Sequence, residues 1–314
     1  MNAAIEEAEM DLNTLYHRTV ECWATRVNEV GDHQWDDPTP CTEWTVRDLV
    51  NHVVGEDRWT VPLMEGQTIE QVGARLDGDL LGSAPIQTAL AAAKDAVSVV
   101  AERLPGGEPV HLSYGEERPE EYVRQLAADH LVHAWDLAAA TGGDTRLEPH
   151  LVTEVATWFA EREDVMRAVG LIGPRAALTG DPQSDLLAAF GRRAHWGRND
   201  ATLARFSRAF GTGDVEAIMA LMTDDCVFEA TSPAPDGERR EGPAAVRAVW
   251  EELFSTTADA SFTEEESFVC EDRGVLRWRF SWTGSDGSPG HVRGVDVLRF
   301  RDGKVSEKLS YVKG

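Results

Sequence analysis

Apolar residues recur at helical spacing through the first two-thirds of the chain and alternate in the last third. From Leu12 to Val30, the residues Leu12, Leu15, Val20, Trp23, Ala24 and Val27 share one helical face. Asp36-Asp37-Pro38-Thr39-Pro40 breaks that pattern. A second helix follows with Val46, Leu49, Val50, Val53 and Val54 on its apolar side, and Thr45 with Asp48 forms a capping-box pattern at its start. Residues 67 to 76 predict a short helix. Pro85 suits the first turn of a helix running to about Leu104, which Pro105-Gly106-Gly107 stops. Pro119 opens another, ending at Gly142-Gly143. Pro149 to Val169 reads as one more helix, and 171 to 196 is less regular. Helices joined by short connections predict an antiparallel bundle.

After Trp196 the period changes. Asn199 and Asp200 suit the cap of a helix running to Gly211, and Asp214 that of one running to Met222. Strand patterns then cover Cys226 to Thr231, Ser261 to Cys270, Gly274 to Thr283, His291 to Arg301 and Lys304 to Val312, with Pro243 to Phe254 helical between the first two. Asp302-Gly303 is a hairpin-turn signal. The expectation is a multidomain chain: an all-α bundle over 1–197, then an α+β domain over 198–314 in which a curved antiparallel sheet wraps on helices. The boundary falls in the polar stretch Gly197-Arg198-Asn199-Asp200.

Composition narrows the function classes. The 314 residues have a formal net charge of −25, which argues against a nucleic-acid partner, because phosphate backbones need a basic face. No apolar run approaches the ~18–20 residues of a membrane span. Met1 to Met10 is acidic and lacks the pattern of a signal peptide, so a cytoplasmic location is expected. The four cysteines, Cys22, Cys41, Cys226 and Cys270, form no CxxC pair, and no disulfide framework is expected. Cys41 reads as a small buried hydrophobe near the start of the second helix.

Candidate chemistry centres on histidine. Asp129 and His133 stand four apart in a helical stretch, so both emerge on one face. His52 lies on the second helix. Two ligands from one helix and a third from a facing helix is how bundles build metal sites, and three protein ligands leave a coordination position open for catalysis. Glu56, one turn beyond His52, is a candidate acid or base beside the ion. Asp136 is a candidate to orient a ligand histidine through its free ring nitrogen. His130 points about 100° around the helix from Asp129 and is the weaker ligand.

Two blocks carry a resemblance: Thr39 to His52 (TPCTEWTVRDLVNH) and Asp129 to Gly142 (DHLVHAWDLAAATG), with Asp181 to Gly191 (DPQSDLLAAFG) behind them. Together, over about residues 10–197, they resemble the mycothiol-dependent maleylpyruvate isomerase N-terminal family, a branch of the DinB-like four-helix metal proteins. The resemblance implies zinc or another divalent metal held by His52, Asp129 and His133, with aspartate where the better-known isomerase of the family has glutamate. It also implies a low-molecular-weight thiol cosubstrate such as mycothiol. A metal-bound thiol loses its proton near neutral pH and can attack a small electrophile, for isomerisation or S-transfer.

The second region resembles the SnoaL-like group of the nuclear transport factor 2 fold through Phe206 to Asp214, Leu221 to Phe228, Gly242 to Arg247 and Arg293 to Lys304. That resemblance implies a cone-shaped pocket and a homodimer formed through the sheet. Asp296 shares a strand face with Leu298 and Phe300, making it a candidate acid or base in such a pocket. Trp278, Phe280 and Trp282 share one strand face as core or pocket wall, and the side taken by Lys308 and Ser310 is left open. The leading expectation is a thiol-dependent metalloenzyme, an isomerase or S-transferase. The rivals are a non-catalytic binder of metal or small molecules, and a cyclase or isomerase working through Asp296.

Overall fold

In the computed structural model, residues 10–313 are described apart from 42, 43, 169, 171, 257–259, 285 and 286. Thr42 and Glu43 of the first family-like block, and residues 1–9 on which the reading of the N-terminus rests, lie outside the described residues. The chain divides into two compact units, Met1–His195 and Trp196–Gly314.

The first unit is helical. Helix α1 (Leu12–Asn28) starts where Asp11 accepts a hydrogen bond from the Thr14 amide, and it buries Leu15, Tyr16, Thr19, Val20, Trp23 and Val27. Helix α2 (Val46–Met64) starts at the expected capping box, with Thr45 and Asp48 each accepting from the other's amide. After α3 (Ile69–Val72) and a 3₁₀ turn at Gly73–Leu76 comes α4 (Pro85–Arg103). A two-stranded hairpin, β1 (Val110–Leu112) and β2 (Gly115–Glu117), was not expected from the pattern. It is too short to show a period. Helix α5 (Pro119–Thr141) is buried on nearly every face from Tyr122 to Ala140, as expected of the central helix of a packed unit. It ends at Gly142, whose φ of 76° lies in the left-handed region. Helices α1, α2, α4 and α5 pack on one another. The single helix expected over Pro149 to Val169 is instead α6 (Pro149–Ala160) followed by α7 (Glu163–Ala168). The helix breaks at Glu161 and Arg162, and Arg162 reaches back to Glu121 on α5. Helix α8 (Pro182–Ala189), capped by Asp181, orders part of the stretch that reads as irregular.

In the second unit, α9 (Arg198–Thr212) and α10 (Val215–Ala220) precede β3 (Met222–Glu229), the short β4 (Arg239–Glu241) and α11 (Pro243–Thr256). Then come β5 (Ser261–Cys270), β6 (Arg273–Thr283), β7 (Pro289–Arg301) and β8 (Lys304–Val312). The Asp302-Gly303 turn has φ of 54° and 72°, the doubly positive pair that a tight two-residue hairpin needs. Among the described residues the sheet runs β4-β3-β8-β7-β6-β5. It is mixed rather than antiparallel throughout, because β3 lies parallel to β8. Alternation predicts that a segment is a strand but says nothing of the direction of a neighbour 80 residues away. The sheet packs Phe228, Trp278, Leu298 and Phe300 against Phe206 and Phe210 of α9 and Trp250 of α11, a core rich in aromatic pairs. Among the described residues, no helix is long and apolar enough to cross a membrane.

Candidate metal centre and the second-unit carboxylate

Helices α2 and α5 bring the three sequence-spaced residues together. His52 Nε2 lies 3.5 Å from Asp129 Oδ2, and His133 Nε2 lies 3.3 Å from Asp129 Oδ1. One donor atom from each of the three falls within 4.8 Å of the others. His133 is nearly buried at 7% exposure, whereas His52 and Asp129 each keep 30%, so the group opens on one side. That side is the wall of a cavity of about 650 Å³. Trp44, just before the α2 cap, lays its ring 4.9 Å from His52 and 6.0 Å from His133, centroid to centroid. Trp44 therefore braces both imidazoles.

Behind His133 lies an ion-pair network inside the fold. Its Nδ1 donates to Asp136 Oδ2 at 2.9 Å, which directs Nε2 toward Asp129 and the cavity. Asp136 is fully buried and also receives Arg192, whose Nη2 lies 2.8 Å from Oδ2. Burial alone would raise the Asp136 pKa, but Arg192 and His133 outweigh it and hold the carboxyl at about 2. Arg192 Nε also meets Asp136, Nη1 donates to the Phe190 carbonyl, and Nη2 donates as well to Cys41 Sγ, 3.2 Å away. Cys41 is thus a half-buried thiol on the cavity wall, hydrogen-bonded to Asp136 at 3.3 Å, and not the sealed hydrophobe expected. Sequence spacing did not single out Arg192. The available signal was indirect: a carboxylate on the most buried helix needs a cationic partner.

The electrostatics follow from crowding acids with imidazoles. Burial pushes Asp129 upward, but His133 and then His52 hold its carboxyl well below the usual range. Burial depresses His133, but Asp129 and Asp136 lift it well above the ordinary imidazole value. Glu56 also lines the cavity, and burial followed by the Asp129 charge pushes its pKa up. His130 points elsewhere. Its Nε2 bonds Asp57 Oδ1 at 3.1 Å and its Nδ1 meets the Leu126 carbonyl at 2.8 Å, all inside the core.

Residues 16–138 match the family model described as the mycothiol maleylpyruvate isomerase N-terminal domain, and residues 203–308 match that of the SnoaL-like domain. The chain belongs to the mycothiol maleylpyruvate isomerase N-terminal domain family, with a SnoaL-like domain fused behind it. An uncharacterized protein of Mycobacterium tuberculosis is 34% identical over 185 residues, which cover 56% of this chain and 87% of that protein. An NTF2-like protein of unknown function from Mesorhizobium loti shows 38% identity with a TM-score of 0.34, over 37% of this chain and 92% of its own. A putative polyketide cyclase from Xanthomonas campestris pv. campestris shows 16% identity with a TM-score of 0.32, over 37% and 90% respectively. Membership puts the first unit in a metal-binding, isomerase-type enzyme family, and the motif residues His52, Asp129 and His133 are those that meet on its cavity.

In the SnoaL-like unit, Asp296 is buried on β7 at 3% exposure, on the face it shares with Leu298 and Phe300. Its register partner on β8 is Ser310, which donates to Asp296 Oδ1 at 2.7 Å. Lys308 Nζ lies 3.0 Å from Oδ2 and donates to Ser310 Oγ at 2.7 Å. The ammonium stands 5.0 Å from the ring centres of both Phe210 and Phe228. This settles the side that Lys308 and Ser310 take: they face inward with Asp296. The aromatic stripe on β6 is graded, with Trp278 buried, Phe280 partly buried and Trp282 exposed.

Proposed function

We propose that the first unit is a divalent-metal-dependent enzyme domain that activates a mycothiol-like low-molecular-weight thiol for isomerisation of, or S-transfer to, a small electrophile. The observation that carries this is the meeting of His52, Asp129 and His133 on the wall of a cavity large enough for a small substrate. The residues fit an ion on two counts. Two imidazole nitrogens and one carboxylate oxygen are a donor set suited to zinc and similar divalent ions, with a position left open. Asp129 Oδ2 is also buried without a hydrogen-bond partner, as an acceptor awaiting a cation would be.

His52 Nε2, His133 Nε2 and an Asp129 oxygen would hold the ion. When bound, the ion supplies a lowered thiol pKa, so that a thiolate forms at neutral pH. The chain's own residues do the rest. Asp136 fixes the His133 tautomer, and Arg192 fixes Asp136. Trp44 shields the imidazoles from solvent. Glu56, which lines the same cavity and whose pKa burial and Asp129 raise, would take the thiol proton and return it to the product carbon.

A second reading puts acid–base chemistry in the SnoaL-like unit, favoured by the buried Asp296–Ser310–Lys308 network. The deciding experiment is metal content by elemental mass spectrometry on protein purified without an affinity metal, with His133→Ala alongside. A near-stoichiometric divalent ion in the wild type that the variant lacks supports the metal reading. A wild type that stays empty after zinc addition refutes it. Activity surviving in Asp296→Asn but lost in His133→Ala assigns the chemistry to the first unit; the reverse assigns it to the second.

A further inference from the structure

We infer that the electrophile taken by the first-unit cavity is a neutral, largely apolar molecule and not a dicarboxylate; this rests on the thiol-activating reading of that site. The cationic charge on the cavity wall is already committed. Among the described residues lining the cavity, Arg192 is the sole lysine or arginine. Four of its five N–H donors are committed: Nε meets both Asp136 oxygens at 3.3 Å, Nη1 donates to the Phe190 carbonyl at 2.8 Å, and Nη2 serves Asp136 and Cys41. The buried Asp136 carboxylate cancels its charge.

The wall's remaining carboxyl groups add no positive charge: Glu56, readily protonated, is neutral or negative, and Asp129 is negative. A divalent ion at His52, Asp129 and His133 is offset by Asp129 and by one thiolate, leaving no net positive charge for a second substrate. Recognition of a dicarboxylate calls for fork-shaped or ammonium donors that are unspent, and the wall offers none. Most of the rest of the wall is apolar and aromatic, including Trp44, Tyr122, Leu126, Val132, Trp158 and Phe190. A flat or branched apolar molecule gains from contact with such a surface, and a dianion there loses hydration without compensation. With an aryl chloride as the electrophile, the thiolate sulfur forms a bond to the ring carbon. Chloride leaves with the carbon–chlorine electron pair, and the thiol proton passes to Glu56 or solvent.

The test separates binding from turnover. The full chain, loaded with zinc and saturated with mycothiol so that the ion's open position is filled, is titrated calorimetrically with two unreactive probes of similar size, dimethyl phthalate and the phthalate dianion. The neutral ester is expected to bind at least about tenfold more tightly, since like-charge placement costs more than the 1.4 kcal/mol that tenfold represents. Gln125→Arg, which adds a cation to the wall, is expected to narrow or invert that ratio. Phthalate binding as well as or better than the ester in the wild type overturns the inference, as does failure of both probes to bind. A parallel assay follows mycothiol conjugation to 1-chloro-2,4-dinitrobenzene and to maleate. Turnover of maleate in preference to the aryl chloride also overturns it. No turnover with either, beside a preserved ester preference, rejects the thiol-activating reading and leaves the binding class standing.

Discussion

Replacing Arg192 with methionine tests whether the network behind His133 is a supporting element of the site. Arg192 is 17% exposed at its side chain and Asp136 is 0% exposed. The variant leaves a desolvated carboxylate with hydrogen bonds from His133 and Cys41 but no cation alongside. Two routes give the size of the effect. Holding Asp136 at about 2 against an ordinary value of 3.8 corresponds to stabilisation on the order of 2 kcal/mol at neutral pH. Breaking a buried ion pair by removing one partner costs about 3–5 kcal/mol, because it also strands a desolvated charge. The expected loss at pH 7 therefore lies at about 2–5 kcal/mol, within the first unit. Urea unfolding of the full chain gives the energy, and hydrogen exchange of the α5 peptides assigns it to that unit. The acid limb gives a second readout. A depressed carboxyl pKa contributes stability that is fully present above the ordinary value and is lost as pH falls through about 2. The wild-type first unit should thus weaken between about pH 4 and pH 2, whereas the variant, its Asp136 pKa raised, should weaken less over that window. Zinc affinity should fall about 10–100-fold as His133 loses its fixed orientation. A variant within about 0.5 kcal/mol of wild type, with the same acid limb, would refute the reasoning and mark the pair as screened by solvent.

Three further outcomes are expected. Metal affinity should rise with pH, because Asp129 and Asp136 keep His133 protonated above the ordinary imidazole range in the ion-free chain and the ion must displace that proton; calorimetry in two buffers of different ionisation enthalpy reads the proton release, and a pH-independent affinity would contradict the pairing. Asp296→Ala should destabilise the SnoaL-like unit by about 3–5 kcal/mol by stranding the Lys308 charge between Phe210 and Phe228, while Asp296→Leu with Lys308→Met should recover most of it, as judged by urea unfolding. Gly294→Ala should cost about 1–3 kcal/mol, because a Cβ there would come within 2.3 Å of the Trp278 ring and 2.6 Å of the Tyr311 carbonyl; a thermal midpoint equal to wild type would show that the indole moves aside freely.

Much of the architecture was legible in local chemistry. The capping box at Thr45 and Asp48, the prolines at the first turns of α4 and α5 and the glycine ending α5 bounded those helices to within a residue or so. Such signals act through neighbouring backbone groups, so sequence carries them. The misread elements were those under tertiary control. The break between α6 and α7 accompanies an Arg162–Glu121 pair that spans 41 residues. The hairpin β1–β2 and strand β4 are too short for a period to appear.

The sequence by itself determined which residues are eligible. The four-residue spacing of Asp129 and His133 forces both onto one face of α5, and alternation forces Asp296, Leu298 and Phe300 onto one face of β7, because helix and strand geometry are local. Only the tertiary structure decided which eligible groups meet. His52 reaches Asp129 because α2 packs on α5, and His130 is withdrawn because Asp57 waits on that same helix. Arg192, 56 residues beyond Asp136, closes the network from the segment after α8, and the parallel pairing of β3 with β8 was likewise invisible in either strand. Contacts between distant segments depend on how whole elements pack, and the energy that selects them is shared across the core rather than written at either end.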